Sequence, residues 1–313
     1  MNGRVDGVLV IDKPAGPTSH DVVAVARRAL REKRVGHTGT LDPLATGVLP
    51  LVLGRATRLA TFLSATEKEY EADVRLGAST ATYDAADRLA HGGLPPAAPD
   101  VTREQIERAL VQYRGEFDQT PPPFSAKKIA GVPAYQLARK DAPAALKAVR
   151  VTVHALEILA LDDGLLRLRM RTSAGFYVRS LAHDLGAQLG CGAHLEGLRR
   201  TRAGSFGLDA AVPLDELAER PETAAAKRIP LERLAPELPA VVLNERGSRR
   251  ASHGNPLALN DLAQMGSGPV FDARPLDWGQ APFRVRLFDA GGRLIGIAEA
   301  GADRVLRPSI VLV

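Results

Sequence analysis

Short segments of alternating apolar and polar residues recur along the chain, separated by stretches with helical spacing. Residues 7–11 (GVLVI) form an apolar run stopped by Asp12-Lys13-Pro14, which predicts a buried strand. Pro17-Thr18-Ser19 then opens a helix to about Leu30, with Ser19 as N-cap and Val22, Val25, Ala26 and Ala29 on one face. Residues 70–76 alternate: Tyr70, Ala72, Val74 and Leu76 face one way, Glu71, Asp73 and Arg75 the other, so the strand is half-buried. Thr102 and Gln105 have the spacing of a capping box, opening a helix that stops near Gly115. Asp162-Asp163-Gly164 predicts a hairpin between strands at 151–161 and 166–171. The return strand sets Leu166, Leu168 and Met170 against a row of Arg167, Arg169 and Arg171. Residues 175–179 (GFYVR) turn into a helix carrying Val178, Leu181, Leu185 and Leu189.

Two regions lack a clear period. Residues 89–100 are rich in Gly, Pro and Ala and read as a loop. From 120 to 150 the pattern dissolves into Pro121, Pro122 and Pro123 followed by recurring basic residues, Lys127 and Lys128 first. A stretch of this length inside a compact domain is functional or mobile, and it reads as a lobe that clamps a ligand. Residues 213–239 read as a linker with short helices. After 240, strands at 284–288 and 294–298 flank a second hairpin, Asp289-Ala-Gly-Gly292, and the short strands there predict a small β-barrel. The fold class is α+β: a large mixed or antiparallel-sheet domain at 1–238 with helices and the inserted lobe, and a small C-terminal barrel at 239–313.

Composition narrows the function. A length of 313 residues accommodates one large and one small domain. The net charge of +5 fits a polyanionic partner and a merely soluble basic surface equally well. The cluster Arg27, Arg28, Arg31, Lys33 and Arg34 reads as a solvated helix end. A single cysteine, Cys191, excludes an intrachain disulfide and fits a reducing compartment. The seven histidines show no zinc spacing, so no metal is expected. With neither a secretory signal nor an apolar run of about 18 residues, the expectation is a cytoplasmic protein without membrane contact.

The chemistry concentrates in residues 37–51, HTGTLDPLATGVLPL. Asp42 is the only carboxylate there, on a Gly/Thr/Pro-rich turn. An Asp-Pro turn that bonds its own backbone and a nucleophile aimed at a ligand both fit this segment. Arg179 in AGFYVRS reads as an exposed helix arginine, Tyr70 as a core aromatic, Tyr177 as packing and Leu198 as a core leucine. His37 and Lys13 have ordinary structural readings too, and Arg199, Arg200 and Arg202 read singly as a solvated face.

These motifs together resemble the bacterial TruB-type tRNA pseudouridine-55 synthases, nearly end to end. The family carries its nucleophilic aspartate in the motif G-T-L-D-P-L-A-T-G, which puts Asp42 in that role. The resemblance implies that Arg179 pairs with Asp42, a guanidinium fork keeping the carboxylate ionised. It implies that Tyr70 stacks on the target base and serves as a candidate general base. Tyr177 and Leu198 would line the pocket, and His37 would fill the space left by the flipped base. Lys13, in DKPAGPTS, would play a supporting part. Lys127, Lys128, Arg199, Arg200 and Arg202 would contact phosphates, which position RNA without reading its sequence. The C-terminal segment resembles an RNA-binding PUA domain. One departure stands out: Ala81 replaces an acidic residue usual in the family's loop at 80–84, while Asp84 matches, and that loop is expected to contact RNA.

Such an enzyme needs no cofactor, because the isomerisation neither gains nor loses atoms or electrons. Its expected partner is the T-arm of tRNA, with no obligatory protein partner and a monomeric state. The alternatives are a tRNA-folding chaperone using the same surfaces, or a synthase acting on another RNA. A related archaeal and eukaryotic branch works inside a guide-RNA particle; the long insertion and the C-terminal segment favour the stand-alone type.

Overall fold

A computed structural model describes residues 5–86, 97, 99–124, 128–129, 132–133, 146–263 and 276–313. Its centre is a ten-stranded mixed sheet with the path β12-β1-β3-β10-β4-β9-β8-β5. Here β1 is Gly7–Lys13, β3 Ala45–Leu53, β4 Lys68–Leu76, β5 Gly115–Gln119, β8 Val149–Asp162, β9 Leu165–Thr172, β10 Ala193–Ala203 and β12 Val212–Pro213. Two short strands, β2 (Val35–His37) and β11 (Phe206–Gly207), join β3 and β10 at the side. Most neighbours run antiparallel; β3 with β10 and β1 with β12 run parallel. Lys128–Ile129 (β6) and Val132–Pro133 (β7) form a separate two-stranded ribbon.

The alternation read from the sequence becomes burial. In β4, Tyr70, Ala72, Val74 and Leu76 are buried while Glu69, Glu71, Asp73 and Arg75 are half-exposed. The β8–β9 hairpin turns at Asp163 and Gly164, both with positive φ, as a tight right-twisted hairpin requires. The helix Val178–Gln188 lays Val178, Leu181 and Leu185 on this face, and the helix Arg103–Leu110 adds Ile106 and Leu110. Each of these side chains contributes about 1.5–3 kcal/mol by leaving water. The helix Ser19–Leu30 packs Val22, Val23 and Ala26 against Leu9, Ile11, Leu49 and Leu51.

Three local readings change. Thr18, not Ser19, is the N-cap; it accepts from the Asp21 N–H while Asp21 reaches back to the Thr18 N–H. Residues 45–53, read as part of a turn-rich segment, form a central strand despite Pro50. Pro50 removes one donor, yet its carbonyl still accepts from Thr38. Residues 193–203, charged enough to read as surface, form another central strand with two register irregularities. These bulges turn Arg200 inward and leave Arg202 outside.

The C-terminal residues form a four-stranded sheet, β13 (Ala240–Val242), β14 (Phe283–Phe288), β15 (Leu294–Ala300) and β16 (Leu306–Val311). Strands arise where expected, but among the described residues the sheet does not close into a barrel. Its Phe288, Leu294 and Ile297, with Leu312, share one core with Val8, Val10, Val48 and Val52 of the central sheet. Among the described residues no helix is long and apolar enough to cross a membrane.

Candidate active site

Asp42 sits on the loop between β2 and β3, and three separate segments pin that loop. Ser19 Oγ donates to the Leu41 carbonyl at 3.0 Å and accepts from the Leu41 N–H at 2.8 Å. Lys13 Nζ donates to the carbonyls of Pro14 and Pro43, at 2.8 and 3.4 Å. The Gly16 N–H donates to the Pro43 carbonyl. Glycines permit the close approaches. Gly39, at φ +152°, lies under the Arg200 guanidinium and the Lys68 side chain. A Cβ on Gly47, at φ +96°, would sit 2.2 Å from the Arg200 carbonyl, so only glycine lets β3 and β10 meet there.

Arg179 stands in the first turn of its helix, where the macrodipole disfavours a cation. Its partners offset this. Nε lies 2.9 Å from Asp42 Oδ2 and Nη2 donates to Asp42 Oδ1 at 3.2 Å, a two-pronged fork. Nη2 also donates to the Phe124 carbonyl and Nη1 to the Thr82 carbonyl. On its far side Asp84 Oδ2 stands 3.6 Å from Nη1. Asp84 is buried and accepts from the Thr82 hydroxyl and the Ala86 N–H. The site is therefore two carboxylates astride one guanidinium. Sequence reading sent the loop at 80–84 to RNA; the structure turns Asp84 inward to Arg179. Only the Thr-x-Asp spacing, which lets Thr82 brace the carboxylate, hints at this in the sequence.

Burial raises the Asp42 pKa above the ordinary carboxylate range, and nearby Asp84 adds to the rise. Arg179 and Lys13 pull the other way without reversing it. Desolvation is the largest influence on this carboxylate, and the Arg179 guanidinium opposes it.

The Asp42 side chain keeps 34% of its surface open, toward a cavity of about 390 Å³. Tyr70, Tyr177, Arg179, Leu198, Lys68 and Arg200 line the same space. Tyr177 is anchored through its backbone, which exchanges two hydrogen bonds with the Gln119 amide. Leu198 bridges the cores on either side of the cavity. Tyr70 is buried and shares a hydrogen bond with Arg200.

Arg200 is not a phosphate contact. It is 1% exposed, and its guanidinium donates to the carbonyls of Val48, Gly39 and Thr40. It braces the Asp42 loop from below. Lys13, fully buried, does the same from the other side, and burial lowers its pKa to about 8. Arg199 pairs with Asp12 and Arg202 with Glu69, both at the surface. His37 stands outside the cavity lining, edge-on to His20, and burial lowers its pKa, favouring the neutral ring. Lys127 and the Lys128 side chain lie outside the described residues.

Comparison with known proteins gives a consistent result. Residues 27–178 match the TruB family pseudouridylate synthase N-terminal domain, and 179–238 the tRNA pseudouridylate synthase B C-terminal domain. A tRNA pseudouridine synthase B of Solibacter usitatus is 44% identical, covering 98% of this chain and all of that one. Another, of Ralstonia nicotianae, is 43% identical over 97% of this chain and 93% of its own. A solved H/ACA RNP bound to a substrate RNA containing 2′-deoxyuridine superposes with a TM-score of 0.72 at 25% identity, covering 99% of this chain and 86% of that chain. A Cbf5-Nop10-Gar1 complex gives 0.72 at 26%, covering 99% and 85%. With relatives this similar along its whole length, the chain belongs to the TruB family of pseudouridylate synthases.

Proposed function

We propose that this protein isomerises uridine 55 in the T-loop of tRNA to pseudouridine, with Asp42 as the reacting carboxylate. The observation that carries the reading is the forked Asp42–Arg179 pair facing a cavity of nucleoside size walled by Tyr70 and Leu198. The full-length relatives, named as tRNA pseudouridine synthases B, support the substrate class.

The target uridine leaves its stack to enter the cavity, at a cost of roughly a few kcal/mol. Tyr70 stacks on the base, and Leu198 and Tyr177 close the walls. His37 fills the gap left in the loop. Arg179 holds both Asp42 oxygens, so attack occurs from one orientation. The raised pKa makes Asp42 a stronger nucleophile and base than a solvated aspartate. The reaction breaks the bond between C1′ and N1, joins C1′ to C5, and moves a proton from C5 to N1. Tyr70, hydrogen-bonded to Arg200, is the candidate acceptor of the C5 proton. Lys127, Lys128, Arg199 and Arg202 contact phosphates; Arg200 and Lys13 position the loop.

In this reading residues 1–238 are the catalytic unit, and residues around 120–150 clamp the RNA. Residues 239–313 form a PUA-like module that adds affinity. The protein works as a cytoplasmic monomer on the T-arm, without an obligatory protein partner. Pseudouridine mapping in total RNA from cells with and without the protein tests this. Loss of the tRNA signal at position 55, restored by wild type and not by Asp42→Ala, is the expected result. Wild-type levels with Asp42→Ala sink it. Retained tRNA binding by Asp42→Ala assigns the loss to chemistry rather than to folding of the RNA.

A further inference from the structure

Of the described charged residues lining the cavity, Lys68 alone takes no part in the steps proposed above. Lys68 opens β4, two residues before Tyr70, and therefore shares the face of the strand that looks into the cavity. It is 6% exposed. Its ammonium donates to the carbonyls of Ser64 and Thr66. That uses two of three N–H bonds; the third has no acceptor among the described residues, and no carboxylate there forms an ion pair with it. A buried cation without a counter-charge is costly unless a ligand supplies the partner.

We infer that Lys68 is a further catalytic residue, whose ammonium donates to a carbonyl oxygen of the flipped pyrimidine and stabilises the negative charge that gathers there. This rests on the isomerisation proposed above. If Asp42 attacks C1′, an oxygen–C1′ bond forms as C1′–N1 breaks, and the departing pair spreads over N1, O2 and O4. If Asp42 instead adds at C6, the pair from the C5–C6 double bond spreads over C5 and O4, and the C1′–N1 bond then breaks with its electron pair left on N1, freeing C1′ for C5. In both routes the base becomes an anion. The charge is discharged when C5 bonds to C1′, the Asp42 oxygen leaves as carboxylate, and C5 gives up a proton while N1 takes one. A fixed cation beside the carbonyl oxygens lowers the barrier on either route. A backbone phosphate is the weaker candidate, because Lys68 is buried and lines the same cavity as Asp42 and Tyr70.

The charged groups around Lys68 are Arg200 on β10 and, across the cavity, Asp42 and Arg179. Glu67, Glu237, Arg171 and Arg202 surround an adjoining hollow that Lys68 also borders. Burial, then Arg200, brings the Lys68 pKa down to about 8. The ammonium form is therefore lost at moderately alkaline pH.

The test is single-turnover pseudouridine formation on a tRNA transcript, with enzyme saturating, for wild type, Lys68→Met and Lys68→Gln across pH 6–10. Glutamine keeps two N–H donors for the Ser64 and Thr66 carbonyls while removing the charge, so it separates packing from catalysis. Expected is a loss of about 10²–10³-fold in rate for both variants, the scale for removing one oxyanion donor. Filter-binding Kd for tRNA should stay within about threefold, a factor worth less than 1 kcal/mol. The wild-type rate should fall above about pH 8, and the variants should lack that limb. A variant rate within about threefold of wild type overturns the inference. So does weakened binding with an unchanged rate at saturation, which would make Lys68 an anchor for phosphate. A wild-type profile flat to pH 10 overturns it without any variant. An inactive wild type refutes the isomerisation itself, a different failure.

Discussion

The two faces of β4 carry the same chemistry with opposite consequences. Outward, Asp73 meets Arg167 at 2.8 Å, Glu71 meets Arg169 at 2.9 Å, and neighbouring Glu67 meets Arg171 at 2.9 Å. Across the sheet, in the site that β4 helps to wall, Asp42 meets Arg179 at 2.9 Å. The distances match and the surroundings do not. The outer arginines keep 41–52% of their side-chain surface in water, Arg179 only 7%. Exposed pairs are worth about 0–1 kcal/mol each. A buried ion costs several kcal/mol in lost hydration, which only good geometry and further hydrogen bonds repay. Arg179 meets that demand with two carboxylates and two carbonyls. Asp42 keeps a raised pKa even so. Burial of the guanidinium, rather than the mere presence of an arginine, sets this pair apart from the outer ones.

The sharpest way to break this contrast is to remove the shared cation. Arg179→Met leaves Asp42 and Asp84 without the cation between them. Breaking a buried pair on one side costs about 3–5 kcal/mol in stability, which chemical denaturation will report. Turnover should fall by at least about 10³-fold, since a carboxylate pair sharing no cation takes up a proton. Wild-type turnover in that variant would separate the ion pair from the chemistry.

Asp84→Asn should have a smaller effect with a definite sign. Asp84 raises the Asp42 pKa. In the proposed mechanism Asp42 acts as the anion, so the wild-type rate should fall on the acid side as pH drops through that raised pKa. Removing the Asp84 charge lowers the pKa and moves the acid limb to lower pH. The amide oxygen still accepts from Thr82 and Ala86, so the shift reads charge rather than packing. A loss of about tenfold at neutral pH, or about 1.4 kcal/mol, is expected from the disturbed guanidinium. A limb that stays put or moves upward contradicts the assignment.

How much of this was legible in the sequence depends on the kind of signal. Strands with strict alternation, such as β4 and β9, were visible because one face is apolar and the other charged. The central strands β3 and β10 were not. Pro50 argues against a central strand, and the cluster Arg199, Arg200, Arg202 looks solvated. Arg200 is buried because three carbonyls of the Asp42 segment await it, a long-range arrangement that no local period encodes. The motif around Asp42 marked the place of the site, and Tyr70, Tyr177, Arg179 and Leu198 do meet there. Asp84 and Lys68 escaped because their meaning lies in burial, which residue type alone does not give.

Ser19 and Thr18 offer a finer comparison between holding the site and holding the helix. Ser19→Ala removes both bonds to Leu41 and leaves buried backbone groups unpaired, at about 1–3 kcal/mol. Because Leu41 precedes Asp42, turnover should fall with stability. Thr18→Ala removes an exposed cap worth about 1 kcal/mol and should leave turnover on fully folded enzyme unchanged. Equal effects of the two on turnover would mean that Ser19 merely supports the helix.

The smallest effect belongs to the outer row, and it is informative for that reason. A row of three arginines on one sheet face, Arg167, Arg169 and Arg171, has the look of an RNA track. Register opposes it: Asp73 lies directly across from Arg167, Glu71 from Arg169 and Glu69 from Arg171. Each arginine also has a carboxylate within about 3 Å, so the row is neutralised where it stands. The carboxylate row facing these guanidiniums cancels their field over the whole face, so little net attraction for RNA remains. Arg169→Gln should therefore change stability by about 0–1 kcal/mol and leave turnover unaltered. A residue that neutralises a phosphate adds about 0.9 to the slope of log Kd against log salt. For Arg169→Gln that slope should match wild type. A slope reduced by nearly one unit would place RNA on this face, and the two sides of β4 would then share a function rather than contrast.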